Sequence, residues 1–255
     1  MGENRMNFET ILFEEQDNIG LLTLNRPKTI NALNQQMTEE LDFLLDELYL
    51  NDSIRVLIIT GSGEKGFCSG MDMKESASKL FEAPPDLIYK FQSFSSRLLY
   101  KMRCIPQPII SAIHGAASGA GFSFAMASDV RLITPQARFN AAYINIGLGG
   151  ADLASSYFLP KLIGSGRANE FLLTGDFMSA EEAIKLGFAS QVVEKEILME
   201  KAFEMAKKMA EKNPLGLKMT KEAINQNLSI GSLEQAIHIE NRNQSFLIAA
   251  MKLNA

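Results

Sequence analysis

At 255 residues the chain can form one large domain or a domain with a smaller helical appendage. Its 46% hydrophobic and 22% charged residues suffice to bury a full core, and a net charge of −5 without a Lys/Arg block argues against a nucleic-acid partner. Two cysteines, Cys68 and Cys104, and two histidines far apart, His114 and His238, fit neither a disulfide framework nor a metal site.

In chain order, ETILFEEQ and IGLLTLN are Ile/Leu-rich runs that predict a strand hairpin turning through Gln16-Asp17-Asn18. Gln35 to Asn51 carries apolar residues at Met37, Leu41, Phe43, Leu44, Leu48 and Leu50, which approximate a helical stripe. IRVLIITGSG reads as a buried parallel strand ending in a glycine loop, and FCSGMDMK as a loop entering a helix. Glu75 to Asp86, with Pro84-Pro85, reads as a polar surface segment, and Ile88 to Arg103 as a helix. PIISAIH is the next buried strand, then a GAASGAG turn and the helix FSFAMAS. VRLITP is a further strand, ARFNAAYINIG a strand-like run and turn, and from Ser155 the chain is largely helical. This order predicts an α/β layered core with a C-terminal helical region. The N-terminal MGENRMNF has no apolar signal core, and no apolar stretch is long enough for a membrane span, so a cytoplasmic protein without a membrane partner is expected.

Two glycine segments follow buried strands and open helices: GFCSGMD, and HGAASGAGFSFAM. Small residues let a ligand approach the backbone, and helix N-termini present unpaired N–H groups. Facing each other, two such segments could give two donors to one oxyanion; from local pattern alone, glycines that merely allow tight strand-to-helix turns are the favoured reading. GAASGAG is not a dinucleotide fingerprint, for it sits mid-chain and lacks the acidic residue at the required spacing.

Together, LNRPKTINALN, FCSGMDMK, HGAASGAGFSFAMASDVRL and LTGDFMSAEEAIKLGFASQVV, in this order, resemble the enoyl-CoA hydratase/isomerase (crotonase) family from about Phe8 to at least Val193. The resemblance implies an α/β fold: a ββα spiral with two near-perpendicular sheets over residues 1–195, and a helical region over 196–255 that builds a homotrimer or dimer of trimers. It implies an acyl-CoA thioester substrate, with coenzyme A part of the substrate and no separate cofactor. The oxyanion hole would be the N–H groups of Met71 and Ala120, preceded by Gly70 and Gly119. Backbone near Ser69 would meet adenine, the turn Arg26 to Ala32 would line the coenzyme A path, and Lys28 is a phosphate candidate.

Hydratases of the family use two glutamates. Their positions here hold Ser123 and Tyr143, which would face the substrate but cannot serve as carboxylate bases near neutral pH. One carboxylate remains, Asp152, aligned with the single acid of one isomerase branch. It could equally cap the helix ADLASSYF. An aryl-CoA dehalogenase-like branch pairs its aspartate with a histidine, but the matching position is Tyr100. A single-acid proton shuttle is the leading expectation. Hydration or hydrolysis through Asp152, and a non-catalytic acyl-CoA-binding or RNA-binding role, stand as alternatives. His114, Asp72 and Asp129 read as structural. Arg97 and Arg103 are phosphate contacts or a solvated face, and Met73, Phe81 and Leu98 are candidates for an apolar pocket.

Overall fold

The computed structural model describes residues 8–75 and 82–253. Strands Ile11–Gln16 (β1), Ile19–Leu24 (β2), Val56–Gly61 (β3), Ile109–Ile113 (β5), Val130–Ile133 (β7) and Gln191–Val192 (β10) form a six-stranded sheet in that spatial order. β1 and β2 are the expected antiparallel hairpin. Its turn residues Asp17 and Asn18 have φ of 53° and 63°, the left-handed region that Asp and Asn tolerate best after glycine. All other pairings in this sheet are parallel. Buried on both faces, the central strands read as continuous apolar runs rather than alternating ones.

A second sheet is built from Gly66–Cys68 (β4), Ala116–Ser118 (β6), Arg138–Asn140 (β8) and Met178–Ser179 (β9). Each long strand β3, β5 and β7 is thus followed by a short one in the other sheet. Helices Pro85–Cys104 (α1 being the earlier Gln35–Leu50, this one is α2) and Ala120–Ala127 (α3) follow the first two pairs, giving the ββα repeat that the resemblance implies. Asn34 Oδ1 caps α1 by accepting from Met37 N at 3.0 Å.

The sequence reading missed several short elements. FCSG and GAAS, read as loop and turn, contain β4 and β6, because three residues cannot display a period-two pattern. Their small residues matter for pairing: a Cβ on Gly66 would lie 2.8 Å from Ala116 N. Helix α2 begins at Pro85, before the expected Ile88, because proline suits the first helical position, where its missing N–H is not needed. Two-residue strands β9 and β10 interrupt the stretch expected to be helical, between Ser155–Ile163 (α4), Ser165–Thr174 (α5), Ala180–Lys185 (α6) and Lys195–Ala210 (α7). Two further helices, Pro214–Asn227 (α8) and Leu233–Leu253 (α9), complete the C-terminal helical region.

One core lies between the sheets and α1–α3, centred on Phe122, Phe139 and Phe188, whose ring centroids are 4.9–5.9 Å apart. A second lies under α7, whose Leu198, Ala202 and Ala206 cover Val56, Ile58 and Ile110 on the large sheet. The boundary expected at 195/196 falls in the first turn of this helix. α8 is tied to the core by buried Lys221, whose Nζ reaches Gln107 O at 2.7 Å, Met102 O at 3.1 Å and Asp129 Oδ2 at 3.1 Å. Asp129 also holds Arg103 at 2.8 Å, and Arg103 is largely covered rather than part of a solvated helix face. Beyond α8, α9 leaves Phe246, Ile248 and Met251 exposed.

Candidate functional site

The site begins in the segment Arg26 to Asn34, where Ile30 and Asn31 both take φ of 54°. Fully buried Asn31 makes this bend possible. Its Nδ2 donates to Ser62 O (2.9 Å), Phe67 O (3.1 Å) and Gly66 O (3.2 Å), while its Oδ1 accepts from Arg26 N at 2.9 Å. Arg26 in turn donates to Ala32 O at 2.6 Å and pairs with Asp72 at 2.8 Å and Glu75 at 2.5 Å. Burial would push the Asp72 carboxyl up, but Arg26 and the N–H groups of Glu75 and Lys74 outweigh it and hold it below the usual range. Asp72 is therefore the structural residue expected.

This bend is stitched to the first glycine turn. Ser69 N donates to Ile30 O and Ser69 Oγ to Thr29 O, each at 2.9 Å. Leu33 N donates to Gly70 O at 2.7 Å, and Asp72 N to Leu33 O at 2.9 Å, forming a parallel bridge between Leu33 and Met71. In such a bridge the residues flanking Met71 make both bonds, which leaves Met71's own N–H off the ladder. Ala32 is buried beneath, and Lys28 stands exposed in the 3-10 turn Pro27–Thr29 with no ion pair among the described residues.

The second glycine turn faces the first. Gly70 has φ of 96°, and a Cβ there would lie 3.0 Å from Ser118 O and 3.5 Å from Ala120 N. Gly119, with φ of 51°, caps α3, so Ala120 is the first helical residue and its N–H is among those no helix can satisfy internally. Gly121 packs against β4 so closely that a Cβ would sit 2.2 Å from Cys68 O. The structure thus brings Gly70, Met71, Gly119 and Ala120 to one place.

Ser123 and Tyr143 lie directly behind this turn. Both are buried, and their hydroxyls are hydrogen-bonded to each other at 2.9 Å. Burial pushes the Tyr143 phenol well above its ordinary value, so the pair is neutral throughout the physiological range. The Tyr143 ring would be 3.3 Å from a Cβ on Gly119.

Asp152 is half-buried and lies near enough to Tyr143 for its charge to act on the phenol. Its Oδ1 accepts from Leu153 N at 2.7 Å and from the side-chain amide of Gln92 on α2; its Oδ2 accepts no hydrogen bond among the described residues. Its backbone is fixed by Ser155, with Asp152 N donating to Ser155 Oγ at 3.1 Å and Ser155 N donating to Asp152 O at 2.9 Å. Leu153 and Ala154 both have positive φ, 44° and 61°, a strained pair that turns the chain sharply into α4. The alternative of Asp152 as helix cap is not realised: the cap is Ala154, with no side-chain bond, and α4 starts at Ser155. Burial raises the Asp152 carboxyl above its usual range, an effect that the Leu153 N–H and the Gln92 amide only partly offset.

Sequence reasoning missed Gln92, and it included Arg26 and Asn31 only as part of the turn expected to line the coenzyme A path. Asn31 left a signal, since asparagine in a turn-rich run tolerates left-handed backbone. Gln92 left none. Arg97 pairs with Asp42 on α1 at 2.9 Å, His114 is buried with burial pressing its pKa down, and Tyr100 is exposed on α2. Among the candidate pocket residues, Leu98 is in the core, Met73 is exposed and Phe81 lies outside the described residues. A cleft of about 1000 Å³ opens instead between α2, α4 and α8, lined by Ser96, Tyr100, Ala154, Tyr157 and Leu228. Among the described residues no group of three or more His, Cys, Asp or Glu could hold a metal ion, and no helix is long and apolar enough to cross a membrane.

A family model described as enoyl-CoA hydratase/isomerase matches residues 14–254. The short-chain-enoyl-CoA hydratase of Clostridium acetobutylicum is 30% identical over 223 residues, 88% of this chain and 84% of that one. The 1,2-epoxyphenylacetyl-CoA isomerase of Escherichia coli (strain K12) is 34% identical over 217 residues, 85% and 82% of the two chains. Among solved structures, the enoyl-CoA hydratase of Bacillus anthracis superposes with a TM-score of 0.89 at 30% identity, covering 94% of this chain and 92% of that one.

Proposed function

This chain belongs to the enoyl-CoA hydratase/isomerase family of acyl-CoA enzymes, and from that premise we propose that it is an enoyl-CoA isomerase working with one carboxylate, Asp152. The observation that carries this reading is the state of the three candidate acid–base positions. Ser123 and Tyr143 are neutral and bonded to each other, whereas Asp152, whose charge reaches Tyr143, keeps one oxygen without a hydrogen bond among the described residues.

The thioester carbonyl sits between the N–H groups of Met71 and Ala120. Asp152 Oδ2 takes a proton from C2 of a 3-enoyl-CoA, and the electron pair moves into the carbonyl to give a dienolate held by the two donors. The same carboxyl then returns the proton to C4 as the C2–C3 double bond forms. No water is consumed, so no second acid–base group is required. Hydration would need one, and the hydroxyl pair at the two other positions offers no base near neutral pH. The turn Arg26 to Ala32 and the backbone at Ser69 line the coenzyme A path, with Lys28 placed for a phosphate.

The pH profile tests the assignment. A base acts only when ionised, and Asp152's pKa is raised in the folded enzyme, so activity is full above that pKa and lost as pH falls through it. The acidic limb of kcat/KM on a 3-enoyl-CoA is expected at a midpoint above the ~3.9 of a free aspartate. A limb at or below that value would count against Asp152 as the base.

A further inference from the structure

We infer that Gln92, on α2, is the positioning residue that aims Asp152 and sets its basicity. The inference rests on the reading of Asp152 as base. Three ties fix the aspartate, and two of them, from Ser155 and from Leu153 N, are local. The remaining one, the Gln92 amide, comes from an element 60 residues away in the chain. With Leu153 N it occupies Oδ1, so Oδ2 is the oxygen left for the substrate.

The position on α2 is informative as well. Buried residues of this helix begin at Ser95, and Leu87 and Tyr89 before it are exposed. Gln92 therefore lies where the helix leaves the core, and its bond to Asp152 is the polar link between that half of α2 and the strained Leu153-Ala154 turn. A neutral amide donor stabilises the carboxylate without neutralising it, as a cation would.

No described charged group competes for the aspartate. On α2, Lys90 pairs with Asp86, Arg97 with Asp42, Lys101 with Asp42 and Asp46, and Arg103 with Asp129. On α4, Lys161 lies over the Tyr157 ring. Tyr143, the titratable neighbour, is held neutral by burial.

The test uses the full chain with a 3-enoyl-CoA and three variants. Gln92→Met removes the donor: kcat at neutral pH falls by on the order of tenfold to a hundredfold, with KM nearly unchanged, as the carboxylate loses its aim. Its acidic limb moves up, because the anion has lost a hydrogen bond. Gln92→Lys supplies a cation instead and moves the limb down. Opposite shifts are not expected of a residue that merely packs, and either variant alone gives a readable shift should the other fail to fold. Asp152→Asn separates the two claims. If it is inactive while both Gln92 variants keep the wild-type limb, the role of Gln92 is overturned and the base stands. If Asp152→Asn retains turnover, the base assignment itself falls, and the role of Gln92 with it.

Discussion

Asp152→Asn is expected to lower turnover of a 3-enoyl-CoA by about 10²–10⁴-fold, the usual contribution of a positioned acid–base group. Asparagine has the same shape and can still accept from Leu153 N and Gln92 through its oxygen, so the turn into α4 should survive. The loss should therefore appear in kcat while the thermal unfolding midpoint barely moves. Full activity of the variant on every acyl-CoA tested would remove Asp152 from the chemistry.

A comparable loss should follow Gly70→Ala, for a different reason. The added methyl meets Ser118 O at 3.0 Å and lies 3.5 Å from Ala120 N, on a backbone with φ of 96°. One of the two glycine turns must retreat, which would pull apart the Met71 and Ala120 N–H groups proposed to share one oxygen. Losing one oxyanion donor costs about 10²–10³-fold in kcat, while the strained backbone costs about 1–2 kcal/mol of stability. Kinetics and calorimetry on the same sample distinguish the two effects. A variant with normal kcat would mean that the paired N–H groups do not stabilise the dienolate.

How much of this could be read from the chain depended on element length. The hairpin, the continuous apolar strands β3 and β5 and the striped helix α1 announce themselves because five to sixteen residues are enough to show an unbroken apolar run or a helical stripe. β4, β6, β9 and β10 are two or three residues long and exist only through their partners. The second sheet, which carries the approach to both glycine turns, was therefore implied by family resemblance alone.

At the site, Gly70 and Gly119 were visible as punctuation in the sequence, and the structure explains them by the close approach of one turn to the other. Asp152 was legible as a carboxylate with two possible roles. Geometry separated them, since a cap would have to bond the first turn of α4, and this carboxylate bonds Leu153 and Gln92 instead. Gln92 could not have been found by inspection: a neutral amide on a helix with an exposed first half has no local feature that points across the fold.

The most direct measurement is the mass of the product formed from a 3-enoyl-CoA in deuterated water. A single-carboxylate isomerase gives a conjugated 2-enoyl-CoA that has gained no water, with deuterium at C4 only to the extent that the protonated Asp152 carboxyl exchanges with solvent before it returns the proton. A 3-hydroxyacyl-CoA heavier by one deuterated water, or release of free coenzyme A, would contradict the account and require a second acid–base group beside Asp152.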